Sequence, residues 1–556
     1  MSSATTPSFM AVTHKVENQP PLLVNYNSFL QDAALQEGLK REGADWAKAD
    51  LTRYGKITGS EEMIQLGFEA NEHPPQLETH DRRGERVDRV RFHPAYHQLM
   101  NQAIQEGLQA SPWSHPRPGA HVARAAKYYL HAQVEAAHGC PITMSFAALP
   151  TLLKQKDVTQ PWIEKLFSHQ YDPDNRPFEQ KTGITLGMAM TEKQGGSDVR
   201  SNTTRAYPLG QEGAGQAYEL VGHKYFVSAP MSDGFLVLAQ APGGLSCFLL
   251  PRWRPDGSKN PLQIQQLKNK MGNVANASSE TELRGALAWM LGEEGKGVRN
   301  IIEMVSMTRY DCMIGSSAGM RQATLQALHH AAHRQAFGNL LNRQPLMQNL
   351  LADLALESEA ALAFTLRLSR ALDQTDNKEE QALLRLARAI GKYWICKRTP
   401  NHAYEAMEVI GGSGVMENHI MPRLFRESPV NSIWEGSGNI QCLDVLRAVH
   451  KEPACLDIYM QEVLQAQGQN KQLDYFVKQL QQDLQDTEQL EYRARNLVDR
   501  LALAMQASLL IRSSPGYLAD AFCASRLTAS GGLNYGNLPK GVDCRAIIDR
   551  ATPGTD

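Results

Sequence analysis

The chain has no pair of cysteines at C-x-x-C spacing. Its eight cysteines, Cys140, Cys247, Cys312, Cys396, Cys442, Cys455, Cys523 and Cys544, are scattered over 556 residues. That argues against a zinc site or a disulfide framework and fits reduced core thiols. Long apolar runs are missing too. The charge-free stretches Ala136–Leu153 and Gly234–Pro251 are each about 18 residues long, but Pro141 and Pro150 break the first and Pro242-Gly243-Gly244 the second, so neither reads as a membrane span. Met1–Lys15 lacks the apolar centre of a secretory leader, and a soluble cytoplasmic protein is expected. No charge sign dominates: 57 Lys+Arg stand against 59 Asp+Glu, a net charge of −2, which excludes a global basic field for nucleic acid. A G-x-G-x-x-G dinucleotide loop is not convincingly present, and GEEGKG at 292–297 lacks the Walker spacing.

What is present is ordinary globular composition, 42% apolar and 21% charged, at a length that suggests several domains. Residues 1–180 read as helical with long connections; Ala120–Ala137 and Trp162–Phe167 carry apolar residues at helical spacing. The charged stretch Thr79–Val90 reads as a solvated excursion. From 181 to 292, alternation and turn residues predict a β domain. Its strand candidates are Tyr218–Val221, Tyr225–Ser228, Phe235–Gln240 and Leu245–Pro251, the last two forming a hairpin across a four-residue turn. Residues 293–450, with Ala/Leu-rich runs at Leu350–Leu372 and Ala382–Cys396, predict a helical bundle. Residues 451–556 form a further, helical extension, with a stripe at Leu490, Ala494, Leu497, Leu501, Ala504 and Ser508. The fold class expected is α+β: helices, a β-barrel or sandwich, a helical bundle and a helical extension.

The most informative short stretch is AMTEKQGGSD at 189–198. Adjacent glycines let the backbone bend so that bare N–H groups face an anion. On spacing alone it is either a phosphate cradle or a plain turn. Its residues Met190-Thr191-Glu192-Lys193-Gln194-Gly195-Gly196-Ser197-Asp198 are followed in order by Lys224–Ser228 (KYFVS), Leu267–Gly272 (LKNKMG), Arg334–Gly338 (RQAFG), Gly411–Gly414 (GGSG) and Trp434–Gln441 (WEGSGNIQ). Together these elements resemble the acyl-CoA dehydrogenase family over about residues 130–450. The details MTEKQGGSDV, SNTTRA, MTRYDC and PVNSIWEGSGNIQCLDVLR, with the N-terminal arm and the C-terminal extension, are most similar to the alkylation-response branch of that family.

The resemblance implies FAD. It assigns Thr191, beside the Met190 backbone, to the flavin ring edge, and Ser197, with Gly196, to the pyrophosphate; hydroxyls and backbone donors suit those groups. It puts Phe226 where the family packs a tryptophan on the flavin, and Ser228 where a hydroxyl meets flavin N5. Arg334 and Phe337 would grip the cofactor of a neighbouring subunit, with Gly411 and Gly412 allowing close backbone approach, so a homo-oligomer, commonly a tetramer, is implied. Glu408 stands where the family often has glutamine. Trp434, Ser437 and Asn439 complete the cofactor set.

Glu435 resembles the family's catalytic base, which takes the α-proton of an acyl thioester while hydride leaves the β-carbon. Burial near flavin can tune such a carboxylate upward. A variant branch places its base at the position of Thr308, which leaves Glu435 as the matched candidate. Arg309 aligns with a residue that supports acyl-CoA, and Trp434 replaces the usual tyrosine. His329 and His333 share a helix face but have no evident third ligand, so no metal is expected.

For the extension, the resemblance implies binding of double-stranded DNA. Composition does not show it: residues 452–556 carry 10 Lys+Arg and 13 Asp+Glu, a balance of −3. Arg493, Arg500, Arg512 and Arg526 are the candidates for phosphate contact, with solvated ion pairs as their bland alternative. Two functions remain in view: a flavoprotein that binds DNA and limits alkylation damage with at most weak dehydrogenase activity, or a working acyl-CoA dehydrogenase whose extension buttresses the oligomer.

Overall fold

A computed structural model describes residues 13–528 and 534–553; most of the N-terminal stretch discussed above as lacking a leader lies outside them. The architecture is α+β. Helices run from Ala33 to Leu166, a sheet from Leu186 to Leu291, a helical bundle from Gly297 to Lys451, and five more helices from Ala454 to Ala551.

The sheet closes on itself. Strand Gly234–Ala241 pairs with Leu186–Ala189, Arg205–Pro208 and Gly244–Pro251, while Ala217–Ser228, Ser278–Leu291 and Gly244–Pro251 complete the circuit. The Gly234–Ala241 strand shows why a barrel forms here. Phe235, Val237 and Ala239 belong to the barrel core, whereas Leu236 and Leu238 pack into the helical core outside. Both faces are covered, so Phe235–Ala239 reads as an unbroken apolar run rather than an alternating one. The hairpin expected over Phe235–Pro251 is present with longer strands: Ala241 pairs Gly244, which leaves two residues in the turn. The two short strands expected at Tyr218–Val221 and Tyr225–Ser228 are one strand, Ala217–Ser228, whose register shifts at Leu220/Val221 and Lys224/Val227 let it continue past Gly222. Strands Leu186–Ala189, Arg205–Pro208, Leu262–Leu267 and Ser278–Leu291 were not anticipated individually.

The charged stretch Thr79–Val90 is not a solvated excursion. Gln76–His80 and Arg86–Arg91 form an antiparallel hairpin, which buries Val90 against Ile264 and Ala277 of the barrel. Asp88 fastens it: one carboxylate oxygen accepts the Ile264 N–H at 3.1 Å, and Lys259 and Arg86 supply cations. The helix expected over Ala120–Ala137 ends at Ala132.

The bundle is built on three long helices, Gly297–His333, Pro345–Asp373 and Lys378–Ile410. The N-terminal helices dock on it through a buried ion pair between Arg124 and Asp311, where the Thr143 hydroxyl donates to the same carboxylate at 2.7 Å. The extension is seated on the bundle rather than detached from it. The stripe from Ala494 to Ser508 is buried on helix Leu490–Ser513; Trp394 Nε1 donates to Gln506 at 2.9 Å, and Arg367 bridges Glu380 and Glu462 at 2.8 and 3.0 Å.

Candidate active site

The loop Trp434–Gly436 connects the helical turn Val430–Ile433 to helix Gly438–Lys451. Glu435 and Gly436 both have left-handed backbone, φ +59° and +97°. For a non-glycine residue this conformation is unfavourable and persists only where the surroundings enforce it. Here they do. The Lys392 ammonium donates to the carbonyls of Trp434 at 2.8 Å and Gly436 at 2.6 Å. Arg309 Nε donates to the carbonyl of Glu435 at 2.8 Å, and Gln441 Nε2 to those of Glu435 and Gly436 at 3.2 and 2.9 Å. Two cations and an amide thus hold three consecutive carbonyls. Arg309 is itself held by Asp444 at 2.9 Å. A side chain at Gly436 would stand 2.7 Å from Gln441 Nε2, so glycine is required on steric as well as conformational grounds.

The Glu435 carboxyl accepts a hydrogen bond from the Thr308 hydroxyl at 2.8 Å. Desolvation raises its pKa; the Thr308 hydrogen bond and the charges of Lys392 and Arg309 pull the other way, and desolvation wins. A carboxyl with these surroundings holds or takes a proton at a pH above the ordinary carboxylate range. Trp434 directs its indole N–H away, to Asn431 Oδ1 at 3.0 Å and Cys312 Sγ at 3.1 Å.

The 190–198 turn lies against strand Ala217–Ser228, because Tyr225 N–H donates to the Thr191 carbonyl at 2.8 Å. Of the turn's two acids, Asp198 is exposed and pairs with Arg200 at 3.0 Å, while Glu192 faces inward. Glu192 is buried; burial raises its pKa, but Lys224 at 2.7 Å and the Thr203 and Thr204 donors outweigh this and hold it at about 2. This removes a carboxylate from any anion the turn would meet. Gly196 closes on Thr191: a Cβ there would sit 3.0 Å from the Thr191 hydroxyl. Among the described residues no hydrogen bond engages the Thr191 hydroxyl or the Ser197 hydroxyl and N–H. Phe226, 45% exposed, presents its ring beside Tyr225, with Lys268 at 4.7 Å. Exposed donors, a glycine cradle and a half-exposed aromatic ring fit the ring edge, phosphates and face of a flavin dinucleotide. Ser228 shares its hydroxyl with Ser278 at 3.2 Å, and Lys270 donates to Ser278 at 3.1 Å. Beside them burial pushes the Cys140 thiol up to about 11 and the Lys270 ammonium down to about 8.

Arg334, Phe337, Glu408, Gly411 and Gly412 lie on elements other than the Glu435 loop, whereas Ser437 and Asn439 follow it directly. Arg334 and Phe337 belong to a small hairpin, Gln335–Ala336 with Asn339–Leu340, whose tip residue Phe337 is 96% exposed. Gly411 and Gly412 are exposed beyond helix Lys378–Ile410, with open space at both Cβ positions, and Glu408 is exposed one turn earlier. Ser437 stands at the N-cap position of helix Gly438–Lys451 without a side-chain capping bond, and Asn439 accepts Arg495 Nε of the extension at 2.8 Å. His329 and His333 are 4.4 Å apart by ring centroids but bond to the carbonyls of Pro21 and His329, and no group of metal-ligating side chains occurs among the described residues.

The extension's arginines are taken up by acids. Arg493 pairs with Asp486 and Arg500 with Asp483. Arg512 meets Glu462 at 2.7 Å, and Arg526 meets Asp353 at 2.5 Å and Glu357 at 3.2 Å. Gln441 and Lys270 lie within the WEGSGNIQ and LKNKMG stretches but carry no assigned role there, whereas Lys392 and Cys140 have no local signal, since each acts through a contact made in three dimensions. Thr308 was considered only as a vacant base position, and its hydroxyl partner was not foreseen.

Residues 18–173 match the AidB N-terminal domain of adaptive response proteins, 187–286 the acyl-CoA dehydrogenase middle domain, and 295–450 the acyl-CoA dehydrogenase C-terminal domain. The chain is 46% identical to AidB of Escherichia coli (strain K12), over 94% of this chain and 96% of that one. Among solved structures it resembles Caenorhabditis elegans ACDH-11 in complex with C11-CoA, with a TM-score of 0.85 and 26% identity over 98% of this chain and 97% of that one. It also resembles Bd2924 in its apo form, with a TM-score of 0.82 and 30% identity over 90% and 100%. With the barrel-and-bundle fold, the clamped Glu435 loop and these likenesses together, the chain belongs to the acyl-CoA dehydrogenase family, within its AidB branch.

Proposed function

We propose that the protein is an FAD-dependent flavoprotein that acts on an acyl-CoA thioester, with Glu435 as the base. The observation that carries this is the Glu435 loop: a desolvated carboxyl on a left-handed backbone, fixed by Lys392, Arg309 and Gln441. FAD, when bound, supplies an acceptor for the hydride that leaves the substrate's β-carbon. Thr191, Gly196, Ser197, Phe226 and Ser228, with the Met190 backbone, would hold it. Glu435 takes the α-proton, and the C–H electrons become the new double bond. Arg309 acts on the base loop through its bond to the Glu435 carbonyl. Two features support an acyl-CoA ligand: the Glu435 geometry, and the likeness to a relative solved with C11-CoA. The exposed Phe337 tip and the open Gly411-Gly412 turn support a second copy completing the cofactor site, in a cytoplasmic homotetramer. An anaerobic titration with a panel of acyl-CoAs tests the reading: the flavin should bleach, and Glu435→Gln should retain FAD and not bleach. Bleaching that survives the substitution removes Glu435 from its role.

A second reading adds association with double-stranded DNA and protection from alkylation, with dehydrogenase activity only weak. Its support is the match to the N-terminal domain of adaptive response proteins and the 46% identity to AidB. Pairing of Arg493, Arg500, Arg512 and Arg526 with acids works against those four as phosphate ligands, so contact would rest on other cations of the assembled oligomer. Retention of duplex by the holoprotein that declines steeply with salt would support it; no retention at low salt would end it.

A further inference from the structure

The Arg334–Leu340 hairpin poses a mechanical problem. Its ladder has two residue pairs, Gln335↔Leu340 and Ala336↔Asn339, and two-stranded ribbons are marginal in water even when longer. Phe337 and Gly338 turn it with φ of +51° and +80°, the left-handed pair that a tight hairpin needs. Yet a residue that grips a neighbour's cofactor has to be held still.

The chain's own N-terminal arm touches it. The Asn18 carboxamide donates from Nδ2 to the Gln335 carbonyl at 2.9 Å and accepts the Gln335 N–H at Oδ1 at 2.7 Å. One side chain thus satisfies both backbone groups of the outer hairpin residue, as a third strand would. The Asn18 carbonyl, on left-handed backbone at φ +56°, accepts Arg334 Nη1 at 2.5 Å. Three residues on, the Pro21 carbonyl meets His329 Nε2 at 2.8 Å at the end of the same helix. The arm is itself seated: Tyr26 and Ser28 N–H donate to the carbonyls of Gly59 and Gly55 at 3.2 and 3.0 Å. A Cβ at Gly59 would lie 1.9 Å from the Tyr26 carbonyl, so that contact is a fitted one. Arg334 keeps Nε and Nη2 without a partner among the described residues. The exposed apolar residues Val16, Leu22, Phe337 and Leu346 belong to the arm, the hairpin tip and the start of helix Pro345–Asp373, the kind of surface a second copy would cover.

We propose that residues 18–21 form a strap that fixes the Arg334–Leu340 hairpin for contact with the FAD of a neighbouring subunit, and that Asn18 is a positioning residue for cofactor binding. The inference rests on the reading that this hairpin reaches a neighbour's cofactor. The strap aims the Arg334 guanidinium by holding one terminal nitrogen, and it completes the hairpin's open edge.

The test compares FAD dissociation constants and sedimentation of full-length Asn18→Ala and Arg334→Ala with the parent protein. Asn18 is exposed, so the variant should fold, and the melting temperature of the apoprotein checks this. Asn18→Ala is expected to weaken FAD roughly three- to tenfold, the scale of one or two surface hydrogen bonds, with apoprotein melting unchanged. Hydrogen exchange at the Gln335 amide should accelerate in parallel. If Arg334→Ala weakens FAD and Asn18→Ala leaves both affinity and exchange unchanged, the strap is refuted while the hairpin's role stands. If neither variant alters FAD affinity, the hairpin reading itself fails, and the strap with it.

Discussion

The Thr308 hydroxyl stands 2.8 Å from the Glu435 carboxyl and 2.9 Å from the Val305 carbonyl. It carries one proton for two acceptors. While Glu435 is ionised, the hydroxyl donates to it. Once Glu435 has taken a proton, the hydroxyl can turn to Val305 and accept from Glu435 instead. Both protonation states of the base therefore keep a partner, which spares the buried carboxyl a large desolvation penalty on either side of the proton transfer.

Thr308→Val should consequently impair the base without displacing it. Desolvation already lifts Glu435 above ordinary carboxylates, and Thr308 is the first of the groups that oppose it. Loss of the hydroxyl raises the pKa further. As the proposed base Glu435 acts ionised, so flavin reduction should increase with pH, and the rising limb should move to higher pH in the variant. At neutral pH the rate should fall roughly tenfold, the scale of a hydrogen bond to a charged group. Stopped-flow reduction across pH reads this; an unmoved limb would show that Thr308 does not govern the proton.

Lys392→Met removes the ammonium that joins the Trp434 and Gly436 carbonyls. The Trp434 carbonyl loses its donor and the Gly436 carbonyl keeps only Gln441, a penalty on the order of 1–3 kcal/mol, and the left-handed Glu435 loses the ammonium that joins its two neighbours. Acyl-CoA-dependent bleaching should nearly vanish while the flavin spectrum persists, because the 190–198 turn proposed to hold the cofactor lies elsewhere. Loss of FAD in this variant would tie Lys392 to cofactor binding instead.

The uneven legibility of the chain has physical causes. Phe235–Gln240 was readable because every position up to Ala239 is apolar, which a strand covered on both faces demands. Thr79–Val90 was misread because its charges occupy the exposed face of a hairpin, while the burial that pins it comes from Val90 and an Asp88 clamp with partners more than 170 positions away. Glu435 was recognisable only within WEGSGNIQ. Lys392 lies in a helix 42 positions before Trp434, with nothing in its neighbours to mark it. Arg526 looks available in the sequence because its acids are remote, Asp353 and Glu357 lying 173 and 169 positions away, whereas the acid of Arg493, Asp486, is only 7 positions away.

Glu427 makes stability depend on pH. Burial and the adjacent Glu135 carboxylate raise its pKa to about 8, against the opposing charges of Arg423 and Arg426. Glu135 sits at about 2: burial raises it, but the His138 hydrogen bond and charge, with Arg423, pull it down further. A raised folded-state pKa contributes stability that is complete below the unfolded carboxylate value and is lost as pH climbs through about 8. Glu135 does not titrate in that window. The parent protein should therefore lose melting temperature between pH 6 and pH 9 through Glu427, and Glu427→Gln should flatten the slope, gaining on the parent at pH 9. Parallel slopes in the two proteins would mean that Glu427 is ionised throughout.

Arg526 separates a structural from a nucleic-acid role in the extension. Its guanidinium lies between Asp353 and Glu357 on the bundle, and Arg398 shares Glu357 at 3.2 Å. Asp353 also accepts the Gly536 N–H at 2.8 Å, drawing the chain that precedes the last helix into the same knot. Arg526→Ala leaves Asp353 buried without its cation, and breaking such a pair costs on the order of 3 kcal/mol. By contrast, Arg545 pairs with Asp549 in solvent at 2.8 Å, where an ion pair contributes little. Thermal melts should place Arg526→Ala well below the parent and Arg545→Ala beside it. If duplex is retained at all, its salt dependence should be the same in the parent and in Arg526→Ala, because a guanidinium already neutralised by two carboxylates releases no counterion from DNA. A shallower salt slope in Arg526→Ala with unchanged melting would reverse the assignment and make Arg526 a phosphate ligand.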